Sequence, residues 1–188
     1  VNIVPKNGLL LLGADNSHTL ALRDLSVSPV STFGFSNGAD WQAYNIAVVN
    51  GRTRFSVRQK GVEFGEFELQ LPGAHNVSNA LGAIAVGAHR GLDSGVLVEG
   101  LKTFQGIKRR LEVFGIVDGV TIFDDFAHHP TAVKETLAAL RSSNPSSRMW
   151  AVFEPRSASS CRKVFQTDFA DAFGSADEVI LASVFRSD

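Results

Sequence analysis

The chain has 188 residues, 44% of them apolar and 20% charged, which leaves room for one domain or two small ones. Its 18 Lys and Arg nearly balance 19 Asp and Glu, for a net charge of −1; that excludes the broad basic footprint of a nucleic-acid or anionic-membrane partner. The single cysteine, Cys161, excludes an internal disulfide, and no apolar run approaches the roughly 20 residues of a membrane span, so a soluble cytoplasmic protein is expected. In chain order, Gly8 to Gly13 encloses Leu9–Leu12 and reads as a short buried strand. Asp15-Asn16-Ser17-His18 reads as a turn or helix cap, Thr19 to Leu25 as a short helix, and Val30 to Phe35 as a second strand. Trp41 to Val49, Arg52 to Gln59 and Val62 to Leu71 are three strand-like runs separated by Asn50-Gly51 and Lys60-Gly61. Such pairs favour two-residue hairpins because both central residues need positive φ, so a three-stranded meander is expected on the edge of the sheet.

A helix follows from about His75. Val77, Ala80, Leu81, Ile84, Ala85 and Ala88 make one apolar stripe, and Gly91 ends it. Asn76 and Asn79, three residues apart, share a face near its start; they can serve as caps or offer amides to a polar ligand edge. Asp93-Ser94 caps a further helix with Val96, Leu97, Leu101 and Phe104 inward. Glu112 to Val117 and Val120 to Phe126 form a hairpin across Asp118-Gly119, followed by a helix (Pro130 to Arg141), a strand (Met149 to Phe153), a helix (about Ser160 to Phe173) and a strand (Glu178 to Val184). That order is the start of a Rossmann-like parallel sheet.

The chemistry concentrates in Phe123-Asp124-Asp125-Phe126-Ala127-His128-His129-Pro130-Thr131. Polar groups gather at the end of a strand, just before a helix opened by Pro130, where ligands sit in open α/β sheets. Zinc does not suit these pairs, since neighbours on an extended strand point to opposite faces and Cys161 is alone. A nucleophilic triad lacks a serine at a strand-to-helix elbow.

Asp124-Asp125-Phe126-Ala127-His128-His129-Pro130-Thr131 resembles the signature opening the C-terminal domain of Mur ligases. These enzymes join amino acids or peptides to UDP-sugar precursors with ATP. His75-Asn76-Val77-Ser78-Asn79-Ala80 is similar to the family's His-Asn-x-x-Asn-Ala helix start. Within the family, Phe126 and Phe153-Glu154-Pro155-Arg156-Ser157 most resemble the murein peptide ligases, which attach a recovered tripeptide to UDP-N-acetylmuramate; the L-alanine-adding branch is the alternative. The resemblance implies the α/β end of a central ATPase domain with its meander, residues 1–111, then the start of a C-terminal domain, residues 112–188. It implies adenine contacts for Asn76 and Asn79, a phosphate contact for Arg110, a ribose contact for Asp125, and a place near the phosphates for His128. Arg156 and Ser157 would meet the incoming substrate, whose carboxylate suits an arginine fork. ATP and Mg²⁺ are the implied cofactors, UDP-N-acetylmuramate and a cell-wall peptide the implied partners. No GxxxxGK[ST] phosphate loop occurs in the sequence, so the chain is expected to be a fragment, inactive alone. A non-enzymatic nucleotide-binding module is the competing reading.

Overall fold

A computed structural model describes residues 1, 3–49, 51–158 and 160–184. The chain divides into two compact units, Val1–Gln70 with His75–Phe104, and Leu71–Ala74 with Gln105–Asp188.

The first unit is a mixed five-stranded sheet in the order β1-β2-β3-β4-β5. β1 (Leu10–Gly13) and β2 (Val30–Gly34) are parallel, as are β2 and β3 (Trp41–Val49); β4 (Arg52–Gln59) and β5 (Val62–Leu69) complete an antiparallel meander. Lys60 and Gly61, at φ 50° and 82°, turn the second hairpin as the spacing predicts. In the first hairpin Gly51 has φ 76°, while Asn50 lies outside the described residues. Between β1 and β2 the expected helix is broken. The Asn16 side chain accepts from the N–H groups of His18 and Thr19 and starts α1 (Ser17–Leu20) early. Bonding then tightens to i→i−3 (Leu22 to Thr19, Leu25 to Leu22) in a 3₁₀ turn over Arg23–Leu25. Only Leu12 of β1 is fully buried.

Two helices cover the sheet, α2 (Ala74–His89) and α3 (Ser94–Thr103). The stripe of α2 buries Val77, Ala80, Leu81, Ile84 and Ala85 against Trp41, Ala43, Phe55, Val57, Phe67 and Leu69. Asp93 accepts from the Val96 N–H, the expected cap of α3. The inward face of α3 is shifted from expectation: Leu97, Val98 and Leu101 pack on the core, while Val96 and Phe104 are exposed. Gly87 of α2 is buried, and a Cβ there would lie 2.5 Å from Leu97 Cδ2, so Leu97 packs into the space left by the missing side chain and would have to move to admit one. The opposite face of the meander is a charge ladder, with Arg52 and Arg54 both on Glu68 and Arg58 on Glu63.

The second unit begins with the hairpin of β6 (Glu112–Val117) and β7 (Val120–Asp124), turned by Asp118 and Gly119 at φ 50° and 79°. α4 (Pro130–Ser143), β8 (Trp150–Phe153), α5 (Gln166–Ala172) and β9 (Glu178–Leu181) follow, with β8 and β9 parallel. Its core is Val133, Leu137, Ala151, Phe169, Ala172 and Phe173. Arg141 ties the ends of these elements together: it donates to the carbonyls of Ser147 and Ser175 and to Asp177. The helix expected from Ser160 starts later. Reciprocal Ser157–Ser160 bonds fold that segment into a turn before a 3₁₀ turn at Lys163–Phe165. Cys161 is therefore exposed, its Sγ toward the Pro155 carbonyl, and not an apolar helix position.

Candidate functional site

Residues 105–111 cluster with the second unit, and the hydrogen bonds explain why. Asp125, half-buried beyond the end of β7, accepts the Leu111 N–H on Oδ2 and the Ala127 N–H on Oδ1, both at 2.8 Å. Thr136 Oγ1 approaches Oδ1 at 3.4 Å from α4. The Phe126 N–H donates to the Arg109 carbonyl at 2.9 Å, and the Arg109 N–H to Glu112 Oε2 at 2.8 Å. The segment before the hairpin is thus laced onto the loop that leaves it. This lacing holds Arg109 and Leu111 at φ 60° and 51°, a region costly for side chains other than glycine.

Side chains continue the lacing. Arg109 Nε lies 3.4 Å from Asp124 Oδ2, and its guanidinium carbon sits 4.9 Å from the centre of the Phe126 ring. The Phe126 and His128 rings are 4.9 Å apart, and His128 Nδ1 lies 2.9 Å from the Phe126 carbonyl oxygen. Ser157 Oγ lies 3.3 Å from the His128 carbonyl, so the turn after β8 meets this loop. His129 packs edge-on against Phe165, 5.3 Å between ring centres. Arg110 is exposed between these anchored neighbours, and Arg156 is exposed two residues past Glu154.

Of the residues singled out from sequence, Arg110, Asp125, His128, Arg156 and Ser157 belong to this unit, with His128 and Ser157 in contact. Asn76 and Asn79 lie in the first turns of α2 in the other unit, the first half-buried and the second exposed. Sequence reasoning missed the part played by Arg109 and Phe126. Their adjacency to Arg110 and Asp125 was visible, but neither their stacking nor the backbone bond between them has a local signature. It also missed a cavity of about 500 Å³ in the second unit, lined by Val120–Phe123 of β7, β8 and α4, with Asp125 and Thr136 at its wall.

One more carboxylate stands out. In the first unit Asp15 accepts from the N–H groups of Phe35 and Ser36 and from Ser36 Oγ, joining the C-terminal ends of β1 and β2. Burial works to raise its pKa, but the hydrogen bonds from Ser36 and Phe35 outweigh it and hold the carboxyl below its ordinary range. Among the described residues no group of three or more His, Cys, Asp or Glu side chains is placed to hold a metal ion. No described helix is long and apolar enough to cross a membrane.

Residues 1–87 match the Mur ligase middle domain, and residues 109–187 match the Mur ligase glutamate ligase domain. The chain belongs to the Mur ligase family, carrying sequence of its middle and C-terminal domains. The UDP-N-acetylmuramate–L-alanine ligase of Desulfosudis oleivorans is 40% identical over 184 residues, 98% of this chain and 40% of that protein. The enzyme of the same name from Clostridium acetobutylicum is 36% identical over 100% of this chain and 40% of its own. The chain thus spans about 40% of the length of these curated relatives. Among solved structures, UDP-N-acetylmuramate-alanine ligase of Thermotoga maritima shares the fold with a TM-score of 0.77 at 24% identity, over 94% of this chain and 38% of that one. A murein peptide ligase of Psychrobacter arcticus has a TM-score of 0.67 at 31% identity, over 96% of this chain and 38% of that one.

Proposed function

We propose that this chain serves an ATP-dependent ligase of peptidoglycan biosynthesis that joins L-alanine to UDP-N-acetylmuramate. The observation that carries the reading is the set of relatives bearing that name, 35–40% identical over at least 98% of the chain. The peptide-ligase branch, expected from Phe126 and the Phe153–Ser157 segment, has its support in solved structures at 31% and 30% identity, the second over 58% of the chain, and we rank it second.

In this chemistry ATP supplies a phosphoryl group to the sugar carboxylate and leaves as ADP. The amine then attacks the acyl carbon; the C–N bond forms, the bond to phosphate oxygen breaks, and the amine loses a proton. Such a reaction depends on positioning and charge stabilisation more than on a protein nucleophile. Arg110 is assigned a phosphate oxygen, since its side chain is exposed while the residues on either side are anchored. Asp125 is assigned the ribose. Its oxygens already accept two N–H groups, but a carboxylate offers about four acceptor positions. His128 is assigned the neighbourhood of the phosphates, Arg156 and Ser157 the carboxylate of the incoming amino acid, and Asn76 and Asn79 the adenine edge.

The test is phosphate release by the complete reading frame containing these residues, with ATP, UDP-N-acetylmuramate and either L-alanine or the tripeptide. Release with L-alanine alone is expected. Release with the tripeptide alone would restore the second reading, and silence with both would overturn the ligase assignment. The 188 residues by themselves lack the phosphate loop; losing about 4 kcal/mol of phosphate contacts weakens binding roughly a thousandfold. They are expected to show neither turnover nor tight ATP binding, and calorimetry checks this.

A further inference from the structure

Of the two histidines of the laced loop, His128 has surroundings that distinguish its two ring nitrogens. Nδ1 lies 2.9 Å from the carbonyl oxygen of Phe126. A carbonyl oxygen only accepts, so Nδ1 carries the proton and Nε2 is the nitrogen left for other partners. The ring and the backbone of His128 are each held by a neighbour. The Phe126 ring lies against the imidazole at 4.9 Å, and Ser157 Oγ meets the His128 carbonyl at 3.3 Å.

Phe126 is exposed at 48%, so burial does not fix its ring; Arg109 does. The guanidinium sits 4.9 Å over the ring centre, where the face of an aromatic attracts a cation. Three further ties hold Arg109: its N–H donates to Glu112, its carbonyl accepts from the Phe126 N–H, and its Nε pairs with Asp124. A residue held at φ 60° by that many partners is placed by its surroundings and not by local preference. We propose that Arg109 is a positioning residue: stacked on Phe126, it holds His128 with Nδ1 protonated and Nε2 presented to the phosphate-bearing ligand. Neutral, Nε2 accepts a hydrogen bond from water or an amine; protonated, it donates to a phosphoryl oxygen. This assignment rests on the nucleotide-site reading above and adds a residue to it, separate from the phosphate contact given to Arg110.

The test is the tautomer of His128, read by long-range ¹H–¹⁵N correlation in the ¹⁵N-labelled 188-residue chain above the histidine pKa. The expected result is the Nδ1–H pattern, with ring-proton shifts displaced by the Phe126 ring. Arg109→Met should return His128 to the Nε2–H form that a free imidazole prefers and abolish the displacement. Arg109→Lys, which keeps the charge but not the planar stack, should retain part of both, and Phe126→Leu should lose both. The amide signals of Val133, Leu137 and Ala151, in the core of the same unit, report that each variant is folded. An unchanged His128 pattern in Arg109→Met would overturn the proposal, as would a free Nε2–H pattern in the parent chain. ATP with Mg²⁺ is then added to the complete reading frame. A shift at Nε2 supports the ligand-facing role. A fixed tautomer with no shift at Nε2 would overturn its ligand-facing role; the amide signals of Arg110 and Asp125, followed in the same titration, distinguish that outcome from a failure of the nucleotide-site reading, in which they too stay unmoved.

Discussion

β4 in the first unit has only two apolar residues in eight, Phe55 and Val57, whereas β7 and β8 in the second are mostly apolar, yet the apolar side chains of β4 are the better buried. In β4, Phe55 is 2% and Val57 0% exposed, because β3 and β5 flank the strand and α2 and α3 lie over its face. In the second unit Val120 is 62%, Trp150 54% and Val152 72% exposed. There β7 pairs with β6 and β8 with β9, and the other edge of each is unpaired among the described residues. The difference shows that an apolar strand is a demand for cover and not evidence of it; the cover comes from sheet neighbours and a helix layer. The covered unit carries the continuous core, while the laced loop is held by hydrogen bonds and ring contacts at the surface of the other.

Core truncation tests this contrast most sharply. Leu81→Ala removes a fully buried side chain from under the sheet and should cost about 2–5 kcal/mol in chemical denaturation, whereas Val152→Ala should stay within about 0.5 kcal/mol. A comparable loss at Val152 would mean that β8 is covered in solution, and the contrast would collapse. Next in size are the turns. Gly61 and Gly119 both have positive φ and open space around them, so alanine at either should cost about 1–2 kcal/mol from backbone strain alone. Equal losses would show that turn chemistry acts alike in covered and uncovered hairpins; a much smaller loss at Gly119 would show that β6–β7 adds little to the stability of its unit.

Helix caps give a smaller effect. Asp93 accepts the Val96 N–H at the start of α3, so Asp93→Ala should cost about 1 kcal/mol. His129 precedes α4 without a capping bond from its side chain, and His129→Ser should gain a few tenths of a kcal/mol or more by providing one. Thermal melts of the two variants should move in opposite directions.

The smallest effect is on the acid side. Glu68 is held below its ordinary range by hydrogen bonds from Arg54 and then Arg52. Asp177 is held below its own by the Met149 N–H and then Arg141. A lowered folded-state pKa means stability that is present above the unfolded value, near 4, and lost as pH falls through the lower folded value. Both units should therefore keep their melting midpoints from neutral pH to about 5 and lose them below about 4. Asp177→Asn should flatten the acid limb of the second unit and leave that of the first unchanged.

The sequence by itself determined what local chemistry controls. Lys60-Gly61 and Asp118-Gly119 set their hairpins because few residues tolerate positive φ; Asp93 and Pro130 marked helix starts; and the stripe from Val77 to Ala85 declared the buried face of α2. The signature from Asp124 to Thr131 announced the family and named Asp125 and His128 as candidates; the His75–Ala80 helix start added Asn76 and Asn79, and the basic cluster before the hairpin added Arg110. Only the tertiary structure decided which strands are covered, that α3 turns Val98 inward in place of Val96, and that Leu97 packs onto Gly87. It alone brought Arg109 over Phe126 and Phe126 against His128. Those contacts depend on a segment folding back across the end of a hairpin, which no periodicity encodes. Patterns of period 2 or 3.6 report what a residue sees along its own element; which side chains from separate elements meet is set by packing.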